Sequence, residues 1–238
     1  MKFFKNYFNY KISSLLEEYN FESPMLEVGC GTGETLEILN KNYEIEGLDF
    51  SEQAVKKCKE KKLNARAGDF FENKKKYNSI LCLDVIEHVK EDSKFISHIN
   101  KSLEKDGKLF VLVPSGKMMG DDKGYGHYRR YSKEKIIKII KKENFEIEHA
   151  EMFGYPFFYY LRIIMNYLTF GKKIEDEEKE EKTKRSSYES LFDKSFLSKI
   201  ANFLNNSQIV LRILLLQDSF KNQNKGLAVI VVARKIGN

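Results

Sequence analysis

The sequence predicts an α/β fold built around a parallel β-sheet, and two patterns carry that prediction. Between Pro24 and Pro114, short apolar runs alternate with amphipathic stretches, which is typical of βαβ units. Near the end of the sequence, residues 226–234 form a continuous β-branched run that is too short for a buried helix. Such a run indicates a strand that is covered on both faces.

Composition favours one large domain and excludes several classes of protein. The 238 residues are 42% hydrophobic and 32% charged, which excludes disordered, collagen-like and disulfide-rich chains. The net charge of +6 permits anionic partners without requiring them. Cys30, Cys58 and Cys82 lack Cys-x-x-Cys spacing, and the first residues lack the apolar stretch of a signal peptide. We therefore expect reduced thiols in a cytoplasmic protein.

The first half of the chain divides into strands and helices by its apolar periodicity. Ser51 is a suitable N-cap for a helix, and Asp106-Gly107 indicates a turn before the fifth strand. Strands are predicted at 25–28, 44–48, 64–67, 79–83 and 108–113, and helices at 35–40, 51–61 and 93–103.

The second half begins in the same manner and then changes. Ser132 should cap a helix that runs through Lys142, followed by a strand at 145–151. Beyond it the chain is aromatic and apolar, then densely charged with equal numbers of acids and bases, and then helical and apolar before the final strand. The three segments are 155–170, 172–185 and 191–216. We expect the charged segment to be an exposed helix or loop.

A glycine-rich loop follows the first strand directly. Its Gly-x-Gly-x-Gly pattern, residues 29–33, permits a tight turn and lets a ligand approach the backbone. Asp49, at the end of the second strand, is 16 residues beyond Gly33. A carboxylate at this place can accept hydrogen bonds from the two hydroxyls of a ribose. The glycine spacing differs from the Gly-x-Gly-x-x-Gly of NAD sites, which stay an alternative.

These motifs resemble the class I S-adenosylmethionine-dependent methyltransferases, near the ubiquinone-biosynthesis O-methyltransferases. The first motif is residues 26–33, and it is followed in order by 47–51, 68–70 and 82–89, so the likeness covers about 24–115. The resemblance implies a Rossmann-like, seven-stranded, mostly parallel sheet with helices on both faces. We also expect an N-terminal helix. The family usually joins its last two strands by a short hairpin, so the long segment between Glu151 and Gly226 predicts a helical insertion before the last strand.

The resemblance further implies S-adenosylmethionine as cofactor, with S-adenosylhomocysteine as product. The glycines would line the methionine part, while Glu27 would orient the loop or the amino group. Asp49 would bind the ribose and Asp69 the adenine amine. The cofactor-binding residues expected from this likeness are Glu27, Gly29, Cys30, Gly31, Gly33, Asp49, Phe50, Asp69, Phe70 and Leu83.

Two of the four histidines are candidates for catalysis. Methyl transfer to a hydroxyl needs alignment and removal of a proton, for which histidine is suited. His88 follows the fourth strand and His127 follows the fifth, and both segments should lie at the same sheet edge. Arg129 and Arg130 are expected to bind an anionic group of the acceptor. Alternatively, His127 and the arginine pair hold their loop in place.

A metal is the second alternative for this segment. Asp84-x-x-Glu87-His88 resembles the Glu-x-x-Glu-His segment of ubiquinone-biosynthesis O-methyltransferases and small-RNA 2′-O-methyltransferases, some of which bind a divalent cation. His127 falls where a later histidine joins in the RNA enzymes. The first acid here is the shorter Asp84, and the same segment occurs in relatives without metal, so we predict no metal.

The whole chain, 1–238, is predicted to be one methyltransferase domain. Its core is 21–152 plus 225–236, and a helical cap or insertion occupies 153–224. As a helix, 156–170 spans about 22 Å, short of the roughly 30 Å hydrocarbon core. It should pack against a helix at 209–216, or else form a lipophilic acceptor pocket or a membrane-surface patch.

The expected activity is methyl transfer to a small or lipophilic acceptor, at oxygen. One alternative is an RNA methyltransferase with a divalent cation at Glu87, His88 and His127. Another is a non-enzymatic S-adenosylmethionine-binding or membrane-surface protein, for which the location would be peripheral to a membrane. DNA is not an expected partner, and the sequence predicts neither the acceptor's identity nor the oligomeric state.

Overall fold

A computed structural model describes residues 2–118, 122, 124–169, 218–220 and 223–237. Side chains are described from residue 7 onward and as far as 163 in the insertion. The charged segment 172–185 and the apolar segment 191–216, with its predicted helix at 209–216, lie outside the described residues. The described part contains a seven-stranded sheet with helices on both faces, which confirms the predicted fold class.

The sheet has the strand order β3-β2-β1-β4-β5-β7-β6. The first five strands of the chain, β1 to β5, pair with their neighbours in parallel. β7 runs antiparallel to both of its neighbours, β5 and β6. The strands are β1 Met25–Val28, β2 Ile45–Asp49, β3 Ala65–Ala67, β4 Tyr77–Leu83, β5 Leu103–Pro114, β6 Phe145–Phe153 and β7 Ala228–Lys235.

Six helices accompany the sheet in the described residues. Two begin at the predicted caps: the Ser51 side chain accepts a hydrogen bond from the Ala54 amide, and that of Ser132 accepts one from Lys135. The helices are α1 Lys2–Glu18, α2 Leu36–Leu39, α3 Glu52–Glu60, α4 Asp92–Ser102, α5 Lys133–Lys142 and α6 Phe157–Thr169. Short 3₁₀ turns cover Phe70–Glu72, Ile86–His88 and Asp218–Phe220.

Four predicted strands differ from the observed ones by two residues or more at one end. β5 starts at Leu103 rather than 108, because Asp106-Gly107 forms a bulge inside the strand, with Asp106 at a φ of +58°. β4 starts at Tyr77 rather than 79 through pairing with Leu103, β6 continues to Phe153 through pairing with β7, and β7 starts at Ala228 rather than 226. In each case a contact from a distant part of the chain decides the boundary.

The core forms one layer on each face of the sheet. Side chains alternate between the two faces along β5. Phe110 and Leu112 lie on the face covered by α1, α3 and α6, and Val111 lies on the face covered by α4 and α5. On the first face, Tyr7 of α1 stacks on Phe153 with ring centroids 5.5 Å apart. Phe158 of α6 is buried in the same layer, so the start of the insertion packs internally.

The carboxyl ends of the parallel strands bring the predicted motifs to one edge. Val28 of β1 is level with Cys82 of β4, which is level with Val111 of β5. The loops that follow these strands therefore leave the sheet side by side, where ligands bind in open α/β folds. Within the described ranges, no helix combines the length and apolar character needed to cross a lipid bilayer.

Replacing Ile230 by Ala tests the central position of β7. Ile230 is fully buried and pairs with β5 and β6, so its truncation should lower the free energy of unfolding by about 2–5 kcal/mol. Urea denaturation measures this change. Ile236→Ala, just beyond the strand and 43% exposed, should change it by about 0.5 kcal/mol or less. Equal effects of the two substitutions would contradict the position of the strand.

Candidate active site

The glycine loop after β1 combines tight packing with an open space. Gly29 and Gly31 have φ angles of +70° and +51°. A Cβ atom added at Gly29 would lie 2.4 Å from the Cγ2 atom of Val85, so the loop is pressed against the segment after β4. A Cβ added at Gly31 would meet nothing within 4 Å. Gly31 therefore faces a space that a ligand can fill.

Asp49 fastens this loop to the end of β2. One carboxylate oxygen accepts a hydrogen bond from the Gly31 amide at 2.8 Å, and the other accepts one from Ser51 at 2.9 Å. The side chain is 8% exposed. Each carboxylate oxygen has a further lone pair, so the same group can position the loop and accept ribose hydroxyls.

Glu27 is a buried acid without a full set of partners. It is 3% exposed, and its Oε2 atom has no hydrogen-bond partner among the described residues. Burial raises the pKa of Glu27 to about 8, although a hydrogen bond with Thr35 acts in the opposite direction. At neutral pH the side chain is mainly an uncharged acid, and a cationic amine beside it would convert it to a carboxylate.

The predicted adenine side contains both buried and exposed aromatic rings. Asp69 is exposed and accepts a hydrogen bond from the Phe71 amide at 2.9 Å. The Phe70 ring is buried against Phe95, with centroids 5.2 Å apart, so it belongs to the core rather than to an open wall. Phe50 and Phe71 are 80% and 45% exposed and are the rings available at this edge.

The side chains of two further predicted cofactor residues pack in the core. Cys30 is 5% exposed and Leu83 is half-buried, and both pack in the layer of α1 and α3. Phe71 was not predicted, because the sequence alone does not show which of two adjacent phenylalanines is buried.

A second cluster joins the turn after β4 to the segment after β5. Glu87, His88 and His127 each offer a ligand atom, and these atoms lie within 4.8 Å of one another. The two imidazole rings meet edge to face with centroids 4.7 Å apart. The Tyr128 amide donates a hydrogen bond to the Glu87 carbonyl at 2.8 Å, which fixes one segment against the other.

Burial disfavours the charged forms of two members of this cluster, Glu87 and His88. Glu87 is fully buried, and its carboxylate oxygens have no hydrogen-bond partner on another described residue. Burial, followed by the charge of Asp84, raises the pKa of Glu87 well above its usual range. Burial and the neighbouring His127 lower the pKa of His88 to about 4. One carboxyl and two imidazoles are also a donor set that suits a divalent transition metal.

Asp122 is a site residue that sequence reasoning missed. Its buried carboxylate forms a two-pronged ion pair with Arg130, at 2.6 and 2.7 Å, and lies 3.2 Å from the Nδ1 atom of His127. Because Nδ1 faces Asp122, the Nε2 atom of His127 is the one left for proton transfer. The neighbouring Asp121 belongs to the same acidic pair in sequence, and no local pattern shows which acid turns inward.

The two arginines predicted to bind substrate are paired within the protein. Arg129 donates hydrogen bonds to the Asp92 carboxylate and the Lys90 carbonyl, both at 2.7 Å. Arg130, besides its pair with Asp122, donates to the Ser115 carbonyl at 2.8 Å. This geometry matches the alternative expectation, in which the pair holds the loop in place.

Comparison with known proteins gives the family and the fold of this chain. The profile of the family described as "Methyltransferase domain" matches residues 5–150, which is more than half of the chain. The chain therefore belongs to the methyltransferase-domain family, and its fold is that of the class I S-adenosylmethionine-dependent methyltransferases.

Two curated relatives match over part of their length. An uncharacterised protein of Methanocaldococcus jannaschii is 27% identical over 143 residues, 59% of this chain and 63% of the relative. A ubiquinone biosynthesis O-methyltransferase of Pelagibacter ubique is 28% identical over 98 residues, 37% of this chain and 41% of the relative. This chain thus spans less than two thirds of either relative.

Two solved structures show the same fold. A methyltransferase from Archaeoglobus fulgidus superposes with a TM-score of 0.56 at 17% identity, covering 95% of this chain and 94% of that one. The magnesium protoporphyrin IX methyltransferase of Synechocystis PCC 6803, solved with bound S-adenosylhomocysteine, superposes with a TM-score of 0.50 at 21% identity. That match covers 60% of this chain and 74% of the other.

Alanine substitutions at two glycines test the loop geometry. Both residues have positive φ angles, which cost a residue with a Cβ about 1–2 kcal/mol. Gly29→Ala also introduces the 2.4 Å contact with Val85, so it should destabilise the protein more than Gly31→Ala, which meets open space. Urea denaturation of both variants measures the difference, and an equal loss would show that Gly29 is not packed as described.

Proposed function

We propose that this protein transfers the methyl group of S-adenosylmethionine to a hydroxyl oxygen of a small or lipophilic acceptor. The observation that carries the proposal is the open space over Gly31, which lies beside the Asp49 carboxylate and a loop that contains no bulky side chain. Family membership and fold support the cofactor. The partial likeness to an O-methyltransferase supports oxygen as the methylated atom.

The residues around the space fit the parts of this cofactor. Asp49 would accept hydrogen bonds from the ribose, and the unpartnered Oε2 of Glu27 suits the amino group of the methionine part. Phe50 and Phe71 present exposed rings for the adenine, with Asp69 near its amine. When bound, the cofactor supplies the electrophilic methyl group.

His127 is our candidate for the general base. Its Nδ1 atom lies 3.2 Å from a carboxylate oxygen of Asp122 without an aligned hydrogen bond, so the carboxylate is placed to pair with the ring when the ring takes up a proton. His88, edge-on to it, stays neutral through its lowered pKa and does not compete for the proton. Alignment of the acceptor and exclusion of water then account for the rest of the rate.

Calorimetric titration with S-adenosylmethionine and with NAD tests the cofactor, each with and without EDTA. Micromolar binding of the first alone supports the proposal, since the two ligands share a ribose but differ at the end that meets the glycine loop. Binding of NAD alone, or of neither ligand, would refute it.

An RNA methyltransferase that depends on a divalent cation is the second candidate. It is supported by the convergence of Glu87, His88 and His127, whose ligand atoms lie within 4.8 Å of one another. A loss of activity in EDTA, with salt-sensitive RNA binding, would favour it. For either candidate we propose a cytoplasmic location, with the three free cysteines as support.

A membrane-surface role is a third proposal. Tyr160 and Ile163 of α6 are 48% and 40% exposed, and such side chains can contact lipid. Binding to liposomes without methyl transfer to any acceptor in a broad panel would favour it over an enzyme.

Cofactor binding should release a proton through Glu27. With its pKa at about 8, the side chain is protonated at pH 7, and an adjacent ammonium favours the carboxylate. Binding should therefore release up to one proton and tighten as the pH rises from 6 to 7.5. The titration stays below pH 8, because an α-amino group has a pKa of about 8. Calorimetry in buffers of different ionisation enthalpy measures the release.

Glu27→Gln should abolish both the proton release and the pH dependence. Glu37→Gln is the control, because that side chain is 56% exposed and pairs with Lys61 at the surface. Proton release that persists in Glu27→Gln would refute the assignment.

Removing the histidine should separate catalysis from binding. His127→Asn should lower kcat by about 10²–10⁴, the usual contribution of a general base, and leave the affinity for S-adenosylmethionine unchanged. Transfer of a labelled methyl group to a panel of phenols, catechols and lipid-like hydroxyls measures it. Asp122→Asn should give a smaller loss, because the imidazole stays in place and only the neighbouring carboxylate charge is removed. Full activity of His127→Asn would exclude this residue as the base.

A further inference from the structure

We infer that the acceptor carries an anionic group, a carboxylate or a phosphate, which binds in a basic cavity beside His127. This inference rests on the proposed function and specifies its substrate class. The cavity has a volume of about 440 Å³ and lies where the carboxyl ends of β5 and β6 and the start of β7 meet α5 and α6.

The charged side chains of the cavity wall are mainly basic. Lys117, Arg130, Lys133 and Arg162 line it, against the single acid Glu134 among the described lining residues. Hydrogen bonds with its own backbone and with Ser132, at the start of α5, lower the pKa of Glu134, so that charge is engaged at the helix terminus. The wall thus favours an anion.

The basic side chains of the wall differ in how they are paired. Asp122 pairs with Arg130 and lies 3.8 Å from Arg162. Neither Lys117 nor Lys133 forms an ion pair with another described residue. Lys117 is exposed and Lys133 is half-buried, and the flexible stems of both allow their ammonium groups to approach a ligand.

Asp122 connects this cavity to the proposed base. Its carboxylate contacts the cavity residue Arg130 on one side and the Nδ1 atom of His127 at 3.2 Å on the other. The cavity therefore lies one side chain away from the histidine.

The spacing of the strands limits the length of the acceptor. Neighbouring strands are about 4.8 Å apart, and the segment with His88 follows β4, the strand next to β5. The reacting oxygen and the anionic group should be separated by a few bonds, roughly 5–10 Å.

Apolar side chains complete the cavity wall and restrict the acceptor further. Tyr159, Ile163 and Leu227 line the cavity, and Ile163 is 40% exposed. Aromatic rings and branched chains of this kind favour an aryl or alkyl body between the two polar ends. The substrate class is therefore a hydroxylated, apolar carboxylate or phosphate, in contrast to a neutral lipid alcohol.

Matched probes test the charge preference while S-adenosylhomocysteine is present. The probes are 3-(4-hydroxyphenyl)propionate with its neutral amide, and hexyl phosphate with hexanol, titrated by calorimetry. We expect at least one anion to bind about tenfold or more tightly than its neutral partner, as expected for one hydrogen bond to a charged group. The carboxylate and phosphate arms show which anion is preferred.

Charge-neutralising variants then locate the binding. Lys117→Gln combined with Lys133→Gln should remove the preference, and Arg162→Gln should weaken it. The control is Lys138→Gln combined with Lys141→Gln, which removes the same charge from exposed positions of α5 and should leave the preference unchanged.

Three outcomes would overturn the inference: equal binding of the anion and its neutral partner, a preference that survives in the Lys117 and Lys133 variant, or no binding of any probe at millimolar concentration. Titration of S-adenosylhomocysteine into the same proteins separates the two proposals. Normal binding of that product with no anion preference refutes only the cavity, whereas its failure to bind refutes the proposed function.

Discussion

The buried ion pair between Asp122 and Arg130 organises the segment that follows β5. Its two short hydrogen bonds lie where water is excluded, and Arg130 also reaches the Ser115 carbonyl just beyond β5. Removing one member of such a pair leaves an uncompensated buried charge, which typically costs about 3–5 kcal/mol. The pair thereby fixes the segment that carries His127 and one wall of the basic cavity. A single contact couples the proposed base to the proposed anion site.

Two buried acidic side chains belong to the candidate site. Glu27 lies at the end of β1 and Glu87 in the turn after β4, and burial raises the pKa of both. A positive partner would favour the charged form of each: an ammonium group for Glu27, and a cation for Glu87 if one binds. A cation that binds to a buried carboxyl group of this kind does not compete with water for its oxygen atoms.

The sequence predicted the cofactor half better than the acceptor half. The glycine loop and Asp49 lie at the sheet edge where the sequence predicts them, because they follow adjacent parallel strands whose apolar patterns determine their position. The pairing of Arg129 with Asp92 and of Arg130 with Asp122 depends on side-chain packing across the loop. The burial of Phe70, in contrast to Phe71, likewise depends on α4. Neither kind of contact leaves a periodic signal in the sequence.

The antiparallel strand β7 also determines the order in which the molecule can assemble. It is the last described strand to leave the ribosome, yet it lies between β5 and β6, and β6 pairs with no other strand. Until residues 228–235 emerge, the backbone groups of β6 and one edge of β5 have no partner in the sheet. A nascent chain therefore exposes two open strand edges, a known hazard for aggregation. Emergence of β7, rather than synthesis of the glycine loop, is therefore the step at which the described sheet becomes complete.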